Sequence, residues 1–132
     1  MKYIMNFFTS TVLTTVLYLL GGWDMALQTL LIIIALDYIT GVCDAIANRR
    51  INSKIGAKGI IKKVGYLIIV AVSVILDQIA GSTGAIRNLV IYFFVANEGI
   101  SILENWASMG LPLPQKIFDI LEQLKSENKG GE

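Results

Sequence analysis

The stretch MALQTLLIIIALDYITGVCDAIA, Met25 to Ala47, decides the fold, because Leu27 to Leu36 within it is almost uninterrupted apolar sequence. A bilayer's hydrocarbon core is about 30 Å thick and takes roughly 20 helical residues to cross, so this segment is just long enough to span it. It runs into NRRINSKIGAKGIIKK, Asn48 to Lys63, which holds Arg49, Arg50, Lys54, Lys58, Lys62 and Lys63 and no acidic residue. A basic loop of this kind is expected on the cytoplasmic side of a membrane.

Working outward, Val64 to Ala80 forms a short apolar window. A further window begins near Ile86, passes through the bulky run Leu89 to Ala96, and continues in more polar form to about Trp106. Upstream, Tyr3 to Leu20 is apolar but carries Asn6, Thr9, Ser10, Thr11, Thr14 and Thr15, so it reads either as a fourth span or as a helix lying in the interface. Met1-Lys2 ahead of it has the start of a signal peptide. Its basic region is a single lysine and no small-x-small site precedes Gly21-Gly22, so a retained helix is expected.

Gly21-Gly22, Gly81-Ser82-Thr83-Gly84 and Gly110-Leu111-Pro112-Leu113-Pro114 punctuate the windows as turns and helix stops. Beyond them, residues 114–126 place Ile117, Phe118, Leu121 and Leu124 on one helical face, with Lys116, Asp119, Glu122 and Lys125 elsewhere. That is an amphipathic helix, with Glu127 to Glu132 expected to fray. The sum is an all-α integral membrane bundle, one domain over 1–132. Three to four transmembrane helices are expected near 3–20, 25–47, 64–80 and 86–106, with a basic cytoplasmic loop at 48–63 and a cytoplasmic C-terminal helix. Lys2 agrees with that orientation, whereas Arg87 would sit at the outer end.

Composition supports the membrane and excludes much chemistry. Of 132 residues 55% are hydrophobic and only 16% charged, and the mean hydropathy is positive, against about 45–50% and 25% in average soluble domains. The net charge of +1 argues against a nucleic-acid partner. With no histidine and one cysteine, Cys43, the chain can hold neither a disulfide framework nor a Ser/His/Asp set, and no metal or cofactor site is expected. Neither a phosphate-binding nor a dinucleotide-binding glycine motif occurs. No enzyme activity is expected.

The informative positions are ionisable residues inside apolar windows: Asp37, Asp44, Asp77, Glu98 and Glu104. An aspartate at a helix centre costs about 2.5 to 3.5 kcal/mol on insertion scales, so each should face a partner, a cavity or water. At about 100° per residue, Asp37, Thr40, Gly41, Asp44 and Asn48 fall within roughly a third of the circumference, a polar stripe. Asn97, Glu98, Ser101, Glu104 and Asn105 share a face of the last window. These are candidate pore-lining or subunit-contact residues, although bonding within a compact bundle, or an interfacial helix end anchored by Trp106, explains the same pattern. Gly41 and Ala45 form a small-xxx-small pair that permits close helix approach. The six basic residues serve as topology determinants, with anionic lipid headgroups as a second use.

Asp37-Tyr38-Ile39-Thr40-Gly41, the loop with Asn52-Ser53-Lys54-Ile55-Gly56 and Lys62-Lys63, the run Asn97 to Asn105, and Gly110-Leu111-Pro112-Leu113-Pro114 resemble, in that order, the phage-lysis and clostridial toxin-secretion holin family. The resemblance covers roughly Leu27 to Leu121 and leaves the first helix outside. It implies a protein that accumulates in the bacterial cytoplasmic membrane, self-associates, and opens a lesion for a lytic enzyme (endolysin) or toxin, with an antiholin as a further candidate partner. It carries over no catalytic residue. Identical subunits meeting head to tail close into rings, so a cyclic homo-oligomer is expected. Two other readings stay open: a small proton-coupled or ion transporter using the intramembrane carboxylates, and an antiholin or structural membrane partner.

Overall fold

A computed structural model describes residues 1–129, without the side chains of residues 121, 124, 125 and 127–129. It consists of five helices: α1 (Lys2–Leu19), α2 (Met25–Ala47), α3 (Ser53–Ala80), α4 (Ala85–Ser108) and α5 (Gln115–Lys129), with no strand among the described residues. Three of them, α2, α3 and α4, are long and apolar enough to cross a membrane. The first helix is not among them.

α4 lies between α2 and α3 and packs on both. Because α2, α3 and α4 alternate in direction, α2 and α4 run parallel. Their starts meet where Arg87 reaches Asp24, and their far ends meet where Asn48 reaches Ser108. Leu27 and Leu30 of α2, Tyr66 and Val70 of α3, and Ile91 and Phe94 of α4 are buried between them, joined by Leu20 and Ala26. Tyr66 and Phe94 stack with ring centroids 4.2 Å apart. Large apolar side chains on the outside, such as Ile32, Ile39, Ile68, Ile75, Leu89 and Phe93, are exposed. In water that exterior would be costly; in lipid it is matched, and helix association rests on packing and polar contacts instead.

α1 touches this core only near its end, through Leu17 and Leu20. Its threonine hydroxyls are spent internally: Thr9, Thr11, Thr14 and Thr15 each donate to the carbonyl four residues back at 2.8 Å. Back-bonding of this kind removes the polarity that weakens the segment as membrane sequence.

α3 departs from expectation. Residues 48–63 were expected as a basic loop with the helix starting at Val64, but the helix begins at Ser53, and only residues 48–52 connect it to α2. The reason is local. Asn52 has extended backbone and its side chain accepts from the Lys54 N–H at 2.9 Å, an N-cap that starts the helix eleven residues early. α4 is likewise longer than expected, Ala85 to Ser108. α5 continues past Ser126 to Lys129, where fraying was expected from Glu127; residues 130–132 of that expectation lie outside the described residues, as do the side chains of Leu121, Leu124 and Lys125 that the amphipathic reading assigned to faces.

Candidate functional site

Two cations, one buried and one half-buried, organise the bundle, one at each of two levels. At the end where α2 and α4 begin, Arg87 is 5% exposed. Its Nε donates to the Leu20 carbonyl at 2.6 Å, Nη2 to the Gly22 carbonyl at 3.2 Å, and Nη1 and Nη2 to the Asp24 carboxylate at 2.6 and 3.1 Å. A guanidinium suits this task, since its planar fork serves several acceptors at fixed angles. The close approach explains Gly21, whose φ is +85° and where an added Cβ would fall 2.5 Å from the Arg87 Nε. Asp24 also caps α2, accepting from the Leu27 N–H at 3.0 Å. The Arg87 guanidinium beside it holds its carboxyl below the ordinary aspartate value of 3.8.

Asp77 completes this end. From the last turn of α3 it accepts from the Ile86 and Arg87 N–H groups at 2.9 and 2.8 Å, and from the Ser82 hydroxyl. These are orphan donors of the first turn of α4, so Asp77 caps a neighbouring helix across the Gly81–Gly84 turn. It stands apart from the other carboxylates expected on a common polar surface.

The second cation is Lys63. Its ammonium donates to Asp37 of α2 at 2.5 Å and to Glu98 of α4, so three helices meet at one ion cluster. Side-chain exposure is 14% for Lys63, 13% for Asp37 and 2% for Glu98. Lys63 was expected at the headgroups with the other basic residues; the early start of α3 puts it more than two turns inside the helix, on the face toward α4, and there it is a counterion. At a rise of 1.5 Å per residue, Asp37 lies about 18 Å and Glu98 about 20 Å along their helices from the Arg87 end. That is the depth of hydrocarbon, not of headgroups.

The polar stripes of α2 and α4 face each other below this cluster. Asn105 donates to Asp37 Oδ1 at 3.1 Å and to Thr40 Oγ1 at 3.0 Å, and Gly41 lies against the same amide, which an added Cβ would meet at 3.6 Å. Asn97 instead turns to α3, donating to the Tyr66 hydroxyl at 3.0 Å. At the far end Asp44 accepts from Asn48 at 2.6 Å and pairs with Arg50 at 3.0 Å, while Asn48 and Arg50 also reach the Ser108 carbonyl and hydroxyl. Ser101 and Glu104 are half-buried on α4. Trp106 Nε1–H donates to the Pro112 carbonyl at 3.0 Å, fixing the turn toward α5.

Of the expected lining set, then, Asp37, Thr40, Gly41 and Glu98 come together in one seam. Asp44 belongs to the basic end, Asn97 to the α3 contact, and Asp77 to the opposite end. Sequence reading missed the roles of Lys63, Tyr66, Asp24 and Arg87. Two signals pointed to Lys63 and Arg87: the successive residues Lys62 and Lys63 point about 100° apart on a helix and so can meet different neighbours, and Arg87 is a cation at the wrong end for a topology determinant. Among the described residues no group of three or more metal-ligating side chains converges. The seam offers ion-pair exchange and hydrogen bonding, with no paired nucleophile and base.

Comparison with known proteins matches residues 14–126 to the model of the bacteriophage holin family. Similar curated proteins include an uncharacterized 14.9 kDa protein in the nagH 3′ region of Clostridium perfringens, 43% identical over 111 residues (83% of this chain, 84% of the relative). Others are an uncharacterized protein of Clostridium acetobutylicum, 38% identical over 110 residues (83% and 88%), and one of Listeria monocytogenes, 39% identical over 115 residues (87% and 81%). No solved structure matches. With the match reaching from the end of α1 into α5 and three apolar helices inside it, the chain belongs to the bacteriophage holin family.

Proposed function

We propose that this protein is a holin whose subunits accumulate in the bacterial cytoplasmic membrane, assemble, and open a lesion through which a lytic enzyme or toxin leaves. The observation that carries the reading is the Asp37–Lys63–Glu98 cluster: a charged, hydrogen-bonded seam held at hydrocarbon depth by helices whose outer faces are apolar. Family membership supports a holin-type activity. Within one subunit the seam is saturated by its own partners, so the isolated bundle is suited to lipid and closed. Parting α3 from α2 and α4 would take Lys63 from Asp37 and Glu98 and leave both carboxylates needing water, and a ring of subunits supplies it as a lumen.

The excess of Arg and Lys at the Asn48–Asn52 connection and the start of α3 supports an orientation with that connection and α5 on the cytoplasmic side and the Arg87 end outside. No catalytic step is required of the chain. The test is release of a folded cytosolic enzyme from cells expressing the full chain, paired with vesicles that hold the same enzyme and a small dye. Release of the enzyme from both is expected. Passage of ions or dye alone would replace the reading with a transporter, and an intact barrier around a monomeric protein would replace it with a structural partner.

A further inference from the structure

The six basic residues from Arg49 to Lys63, two in the connection after α2 and four in the first turns of α3, do not form one population. Arg50 is committed to Asp44 and Lys63 to Asp37 and Glu98. Lys54, Lys58 and Lys62 are exposed, and no ion pair engages any of them among the described residues. Their spacing of four residues puts all three within about 80° of one helical face. Lys63 lies about 100° from Lys62, turned to α4. Lys62 also sits 5.9 Å from the centre of the Tyr66 ring, which steadies it at the upper edge of the row.

The level of this face follows from the fold. The Arg87 and Asp77 bonds bring the starts of α2 and α4 and the end of α3 to one height. α3 has 28 residues, a length of about 42 Å against a hydrocarbon core of about 30 Å. The surplus, roughly eight residues from Ser53, emerges at the basic end and carries Lys54 and Lys58, with Lys62 one turn deeper within reach of the surface by its flexible stem. Ile55 and Ile61, 68% and 70% exposed, flank the row and give it an apolar border suited to acyl chains.

We propose that Lys54, Lys58 and Lys62 form a binding face for the phosphates of anionic phospholipid headgroups, separate from the Asp37–Lys63–Glu98 cluster. Ammonium groups on an exposed helix at headgroup level, with apolar neighbours and without protein carboxylates, are complementary to phosphatidylglycerol-type lipid. The face is independent of lesion formation.

The experiment reconstitutes the full chain in mixed vesicles of phosphatidylglycerol and phosphatidylcholine and measures the association of spin-labelled forms of each. Wild type is expected to prefer phosphatidylglycerol, and K54Q/K58Q/K62Q to lose that preference by up to about fivefold per lysine. The matching arginine variant should keep it, as should Arg50→Gln. Equal association of both lipids with wild type, or an unchanged preference in the triple glutamine variant, would overturn the proposal. So would displacement by inorganic phosphate beyond that by chloride at equal ionic strength, which would mark a free-phosphate site. Should the triple variant fail to insert, Lys58→Gln alone decides, by a partial loss or none.

Discussion

Arg87, buried, and Lys63, half-buried, are both cations held by carboxylates, yet they are opposites in what surrounds them. Arg87 spends its guanidinium on two backbone carbonyls and on Asp24, whose side chain is 49% exposed, so one partner keeps its water. Lys63 faces two carboxylates that are nearly dry, 13% and 2% exposed, and binds no backbone. The first ties connections together: the α1–α2 link to the start of α4. The second ties three spans together where lipid is the surrounding medium. A clamp at a wet edge can be loosened and rehydrated, whereas a cluster at hydrocarbon depth stays whole or is replaced by water in bulk. Under the proposed function, the second is the part of the molecule that would change arrangement when a lesion opens.

The strongest way to break this contrast is Lys63→Leu. It leaves the half-buried Asp37 and the buried Glu98 without a counterion, and leaving a buried charge unpaired this way costs up to about 3–5 kcal/mol. Thermal unfolding of the purified protein should fall sharply, or folded enzyme should leak from cells without delay. Adding Asp37→Asn and Glu98→Gln to the same chain should recover much of the stability, because no unpaired charge is left. A Lys63→Leu protein as stable as wild type would show that the cluster does not hold the spans together.

Arg87→Lys is expected to do less. An ammonium cannot reach the Leu20 and Gly22 carbonyls and Asp24 together, and losing hydrogen bonds of this charged kind costs about 2 kcal/mol. Asp24 rehydrates, so insertion should persist while protease cuts faster near Gly21-Gly22. Protection equal to wild type would remove the clamp from the account.

The smallest effect is in pH. Because Asp24 titrates below its ordinary value in the folded chain, its contribution is present above about pH 4 and is lost as pH falls through the depressed folded value. Lowering the pH from neutral to 3 should narrow the stability gap between wild type and Asp24→Asn. A gap that widens on acidification would reverse the sign and exclude the Arg87 pairing as its source.

Much of the fold is legible in the sequence because the bilayer sets one length scale. The apolar window Met25 to Ala47 coincides with α2, and the turn residues at Gly21, Gly81 and Gly110 fall where helices stop. α3 is longer than its apolar window because hydropathy marks where a helix meets lipid, not where it begins; the Asn52 cap lies in charged sequence that an apolar window ignores. The site was half legible. Asp37, Thr40 and Gly41 form a stripe by periodicity alone, and Glu98 stands out as an acid in an apolar run, but periodicity does not say which partner a stripe meets.

The sequence by itself determined the medium, the three spans and the polar stripes, because transfer of side chains into hydrocarbon depends on composition and spacing. Only the tertiary structure decided that Lys63 is a counterion while no ion pair among the described residues engages Lys54, Lys58 or Lys62, and that Asp77 caps α4 while Asp37 and Glu98 share an ammonium. Charge pairing is a matter of distances between helices, and these are fixed by packing α4 between α2 and α3 and not by any single stretch of chain.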